Sequence, residues 1–75
     1  MTRYYVVAEY ERGAERAGVA FGSYDKEETA FEMSLCKRDA TLDGNRNLFL
    51  YALLTITTDD QAAIDLAISN WKAKQ

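Results

Sequence analysis

The 75-residue chain has no histidine, no proline and a single cysteine, and each absence closes off a class of function. Without histidine there is no imidazole for acid–base chemistry, and neither a Ser-His-Asp nor a Cys-His nucleophile system can be assembled. One cysteine, Cys36, forms no internal disulfide, and without a histidine beside it the usual zinc sites cannot be built within one chain. A lone unpaired cysteine fits a reducing compartment. Glycine is also scarce: Gly13, Gly18, Gly22 and Gly44 make neither a G-x-G-x-x-G string nor a P-loop. Positive charge is in deficit, with 9 Lys and Arg against 12 Asp and Glu and a net charge of -3. That balance argues against binding nucleic acid or an anionic membrane through bulk electrostatics. The opening MTRYYVVAEYE does not read as a secretory leader, because its apolar run is short and Glu9 and Glu11 follow at once. No apolar run is long enough to span a bilayer as a helix. Together these features lead us to expect a soluble, cytoplasmic protein with no cofactor, no membrane and no evident small-molecule substrate.

What is present is apolar strand material. Asn47 to Thr57 reads NLFLYALLTIT, with no charge and no Gly. As a strand it shows Leu48, Leu50, Ala52, Leu54 and Ile56 on one side and Phe49, Tyr51 and Leu53 on the other. A strand with one face in water would alternate instead. Arg3 to Glu11 does alternate: Tyr4, Val6, Ala8 and Tyr10 share one face, while Tyr5, Val7, Glu9 and Glu11 share the other. Arg12 to Arg16 is a polar turn, and Gly18 to Tyr24 is a weaker strand with Val19 and Phe21 on one face. The spacing predicts a hairpin. Gly18 and Gly22 either relieve crowding in that strand or admit a bulge.

Two helices complete the chain. Asp25 suits an N-cap, with Glu28 three residues on as in a capping box, and the helix runs to about Ala40. Its stripe is untidy: Ala30, Met33, Cys36 and Ala40 lie near one side, Phe31 and Leu35 near another. Gly44 can take the positive φ of an exit loop. Thr58 and Gln61 repeat the capping logic, and Ile64, Ala67, Ile68 and Trp71 then form a regular amphipathic stripe.

The order is β-β-α-β-α in a single small domain, residues 1–75. The expected fold is an α+β two-layer sandwich, with a three-stranded, mainly antiparallel sheet in the order 2-1-3 and two helices on one face. The face carrying Tyr4, Val6, Val19, Phe21, Leu48, Leu50, Leu54 and Ile56 would then lie under the helices. Two alternatives stay open at this point: the order 1-2-3, and a second helix that crosses to the other face.

Under the first arrangement the outer face displays Tyr5, Val7, Phe49, Tyr51 and Leu53, an apolar patch of the kind that marks contact surfaces. The third strand becomes an uncharged edge that can template pairing with another chain. A domain this small buries only about 60–65% of its unfolded surface, so a second copy of itself is the one stabilising device its composition leaves. The adjacent carboxylates Glu27/Glu28 and Asp59/Asp60 sit where helix starts favour negative charge, which accounts for them without catalysis. Glu9, Glu11 and Glu15 offer an acidic contact surface. The expectation is therefore a non-catalytic protein-binding module that self-associates as a homodimer. An alternative is a small acidic inhibitor, of phage or mobile-element character, that blocks a basic nucleic-acid-binding site on a larger complex. A single-strand nucleic-acid binder is a further alternative, disfavoured because basic residues near the strands are sparse and no RNP-like string is present.

Overall fold

The computed structural model describes residues 3–75; Met1 and Thr2, which open the MTRYYVVAEYE segment, lie outside the described residues. The elements are β1 (Tyr4–Glu11), β2 (Arg16–Ser23), α1 (Lys26–Leu42), β3 (Phe49–Ile56) and α2 (Gln61–Ala73). The sheet order is β2-β1-β3, and both pairings are antiparallel. The α+β arrangement, the element order and the strand order are those expected from the sequence.

The central strand shows how the layers stack. Val6, Val7 and Ala8 are each 0% exposed. Successive strand residues point to opposite faces, so burial of both Val6 and Val7 requires cover on both sides. On the Val6 side, Val6, Ala8 and Ile56 form a cluster with Ile64 and Ile68 of α2, and Tyr4, Leu54 and Trp71 pack against it. Trp71 also meets the Tyr10 ring edge-on at 6.3 Å. The apolar stripe of α2 is thus used as its spacing implies. On the Val7 side lies α1. Cys36 of α1 sits within electrostatic reach of Glu9 and Tyr51, whose side chains share the Val7 face. Thr29 and Ala40 are the buried residues of α1. With Met33 and Cys36 between them they follow the spacing of one helical stripe. These are small or slender side chains, which lets a weakly amphipathic helix lie close on the sheet.

The layering therefore differs from the expected two layers with both helices on one face: one helix lies on each face of the sheet. The physical reason is that β1 and β3 are apolar on both sides. Placing both helices together would leave Val7 and Leu53 in water, and burying apolar area on both faces is worth more, at roughly 25 cal/mol per Å².

A bulge redistributes β2. Val7 pairs with Phe21 but Ala8 pairs with Val19, leaving Ala20 unmatched. Directly opposed residues share a face, so Phe21 joins the Val7 side under α1 and Val19 stays opposite Ala8 on the α2 side. The expected grouping of Val19 with Phe21 assumed unbroken alternation, which the extra residue resets. Gly22 has a steric role: a Cβ there would come within 2.9 Å of Cζ of Tyr4, whose ring lies over it on its way to Tyr24. Gly18 has open space around it.

The helix starts divide. Asp25 caps α1 by accepting from the Glu28 amide at 3.1 Å, as expected. At α2 the N-cap is Asp60, not Thr58, and its side chain makes no cap bond. Thr58 instead accepts from the Asp60 amide at 3.2 Å and Gln61 turns to Asp65, a local turn that starts the helix two residues later. Gly44 takes the positive φ of +77° at the exit of α1.

Candidate protein-contact edge

The sheet ends on β3, and the direction of its backbone groups follows from one bond. The Arg12 amide donates to the Leu48 carbonyl at 2.9 Å, just beyond the strand ends. Arg12 and Leu48 continue the β1–β3 register in which Tyr10 faces Leu50, Ala8 faces Ala52, Val6 faces Leu54 and Tyr4 faces Ile56. In an antiparallel ladder every second pair exchanges hydrogen bonds. The even-numbered residues of β3 therefore spend their amides and carbonyls on β1. Phe49, Tyr51, Leu53 and Thr55 turn theirs to the outer edge. Of these, the Phe49 amide turns back to the Asn45 carbonyl at 3.3 Å; the amides of Tyr51, Leu53 and Thr55 take part in none of the turn or cap bonds.

The side chains around this edge are half-buried from Phe49 to Leu54, with Thr55 exposed and Ile56 buried. On the α1 side, the Phe49 and Tyr51 rings stack at 6.3 Å with 29° between their planes. The Tyr51 hydroxyl donates to the Glu9 carboxylate at 2.9 Å. Burial first, and then this bond to Glu9, push the Tyr51 hydroxyl well above its ordinary pKa, so it stays a donor. Beside the rings a cleft of about 290 Å³ is lined by Lys37, Thr41, Arg46, Phe49, Leu50 and Tyr51. That volume falls just short of small-molecule sites, which start at about 300 Å³. Lys37 and Arg46 form no ion pair among the described residues. The positive charge they bring thus stands at the N-terminal end of the β3 edge.

The residues singled out from the sequence are distributed unevenly. Val7 is fully buried beneath α1, so it is not open to a partner in the folded chain. Tyr5, Phe49, Tyr51 and Leu53 share its face and are half-buried under the same helix. The broad outer patch is thereby reduced to a rim at the β3 edge, where Phe49, Tyr51 and Leu53 remain. The acidic trio does not gather into one open surface. Glu9 is committed to Tyr51, Glu11 pairs with Arg16 at 2.9 Å, and Glu15 stands in the hairpin turn with φ of 51°. Cys36 is half-buried; burial and the nearby Glu9, Glu32 and Asp39 carboxylates raise its pKa, which disfavours the reactive thiolate.

Two members of the edge had no signal in the sequence. In the sequence Ala52 is one more residue of the Leu50 side, and nothing in the run NLFLYALLTIT singles out Thr55. Their positions matter only once the hydrogen-bond phase against β1 is known.

No family model, curated protein or solved structure matches the chain. Among the described residues, no helix is long and apolar enough to cross a membrane.

Proposed function

We propose that this chain is a small, non-catalytic protein-binding module that accepts a partner strand on the outer edge of β3. The observation that carries the reading is the state of that edge: an eight-residue strand with no charge, no glycine and no proline, in which the outward amides of Tyr51, Leu53 and Thr55 have no partner among the described residues. Such an edge is a ready template, and proteins that do not use one usually blunt it. Strand addition draws its affinity from main-chain hydrogen bonds and its specificity from side-chain pockets flanking the edge. Here the flanking features are the Phe49/Tyr51 stack with its cleft on the α1 side and the Leu50/Leu54 pair on the other. The lack of histidine leaves the common acid–base and nucleophile systems without their central group, which supports binding over catalysis.

The test uses a proline on the outward-facing backbone. Thr55 is exposed and its amide points away from β1, so Thr55→Pro removes an outward donor without breaking a β1–β3 bond. Circular dichroism should report an unchanged fold. Affinity capture from a cell extract should lose any partner held at the edge. Partners retained at full yield by the folded variant would count against the edge as the binding site.

A further inference from the structure

We infer that the β3 edge takes a second copy of this chain, paired antiparallel about a twofold axis through Ala52, so that two three-stranded sheets join into one. The inference rests on the edge-binding reading above and names the occupant and its register.

The register follows from which groups point outward. Phe49, Tyr51, Leu53 and Thr55 are spaced symmetrically about Ala52. Pairing about that residue sets Tyr51 opposite Leu53 of the partner copy and Thr55 opposite Phe49, in both directions. The three free amides, those of Tyr51, Leu53 and Thr55, then each meet an outward carbonyl of the other copy, at Leu53, Tyr51 and Phe49 respectively. A shift of the axis to Tyr51 or Leu53 leaves one end of the edge without a strand partner, and an axis between residues would set outward groups against inward ones. Twofold pairing of this kind is isologous, the same patch serving both copies.

Three features make a second copy the fitting occupant. The first is at the axis. Ala52 directs its backbone to Ala8 of β1, so Ala52 and its twin form a non-hydrogen-bonded pair, where Cα atoms approach to about 4.5 Å. That is the tightest place in the pairing, and the smallest side chain of the strand occupies it. The second is charge. The strand has none, so self-opposition brings no like charges together. Antiparallel pairing also carries Arg46, just before β3 and without an ion pair among the described residues, toward the end where Asp59 and Asp60 of the partner copy follow the strand. Parallel pairing would set Arg46 toward its own twin. The third is the side-chain match: Leu50 meets Leu54 of the partner copy on one face, and Tyr51 meets Leu53 on the other, pairs that favour cross-strand contact. One strand edge is a narrow interface compared with the 1,200 Å² or so of the smaller stable complexes, so the pairing should depend on concentration.

Single-cysteine cross-linking in a Cys36→Ser background tests the register. A Cα separation of about 4.5 Å falls within the range a disulfide spans, about 4.4–6.8 Å. Ala52→Cys should therefore oxidise to a dimer of twice the 8.5 kDa chain mass. Leu50→Cys, which meets Leu54 and not itself, should stay monomeric under the same oxidant. Preferential cross-linking of Tyr51→Cys or Leu53→Cys would overturn the register. Hydrogen exchange on the unaltered chain gives a readout free of any folding defect. The amides of Tyr51, Leu53 and Thr55 should gain at least tenfold in protection as concentration rises into the high micromolar range. A sedimentation mass that stays at the monomer value there would overturn self-pairing. If the monomeric chain still captures another protein in a Thr55→Pro-sensitive way, the edge-binding reading stands and only the second copy falls. If the chain is a dimer that Thr55→Pro does not weaken, both fall.

Discussion

The two edges of the sheet are built differently although they flank the same strand. The β2 edge is interrupted. Its register slips at Ala20, it carries Gly18 and Gly22, and Arg16 at its start is tied to Glu11. A groove of about 440 Å³ beside it is lined with charge from Arg16, Asp65 and Lys72. The β3 edge runs eight residues in unbroken register with no charge at all. A bulge twists an edge away from a flat approach, and charge makes its burial costly. One edge therefore carries the devices that prevent strand addition, and the other lacks every one of them. That asymmetry is what directs the proposed strand addition to the β3 side alone.

Both edges depend on the central strand β1 that they flank. Val7 lies at the centre of the sheet with no exposure, so Val7→Asp would bury an unpaired carboxylate and cost more than about 4 kcal/mol. Thermal unfolding followed by circular dichroism should lose its cooperative transition. Retention of that transition would mean the Val7 side is less covered than it appears.

The next effect separates the two glycines of β2. Gly22→Val drives a side chain into the Tyr4 ring and should cost about 2 kcal/mol. Gly18→Ala enters open space and should stay within about 0.5 kcal/mol of the parent. Urea titration measures both, and equal losses would show that the crowding at Tyr4 is not what Gly22 relieves.

A charge placed on each edge in turn sharpens the contrast directly. Thr55→Lys on β3 should weaken self-association at least tenfold, about 1.4 kcal/mol, in sedimentation equilibrium. Val19→Lys on β2, at a residue already 45% exposed, should leave it unchanged. Equal sensitivity of the two edges would remove the distinction.

The smallest effect is alkaline. The folded-state pKa of Tyr51 is raised above its ordinary value of about 10 by burial and by Glu9. Its contribution to stability is therefore full below about pH 10 and is lost as pH climbs through the folded value. Tyr51→Phe should flatten that alkaline limb of the stability curve in pH-dependent denaturation. An unchanged limb would mean that the Tyr51–Glu9 bond is not felt.

Much of the fold was legible residue by residue, and the failures have specific causes. Asp25 as cap, Gly44 at the exit turn and the Ile64/Ile68/Trp71 stripe all depend on neighbours within a few positions, and each is found in place. Thr58 was a sound cap by local chemistry, yet its hydroxyl serves a turn and Asp60 begins the helix. Phe21 was placed by alternation, which the bulge at Ala20 resets. The candidate contact face was legible in part. Phe49, Tyr51 and Leu53 were visible as apolar excess in β3, but α1 lies over that face and closes Val7 off entirely. What remains is the rim, and the hydrogen-bonding edge beside it.

The elements, their order and the surplus of apolar surface on both sides of two strands are written in the amino-acid order. These follow from periodicity, capping and turn chemistry, which act over a few residues. Which helix covers which face, and which residues of β3 turn their backbone outward, is settled by the packing of the folded chain. Hydrophobic burial has no direction, so a strand apolar on both sides accepts a helix on either, and the choice is made by the whole chain at once. The outward phase of β3 is set by its register against β1, a pairing between residues as far apart as Tyr4 and Ile56 that no local pattern encodes.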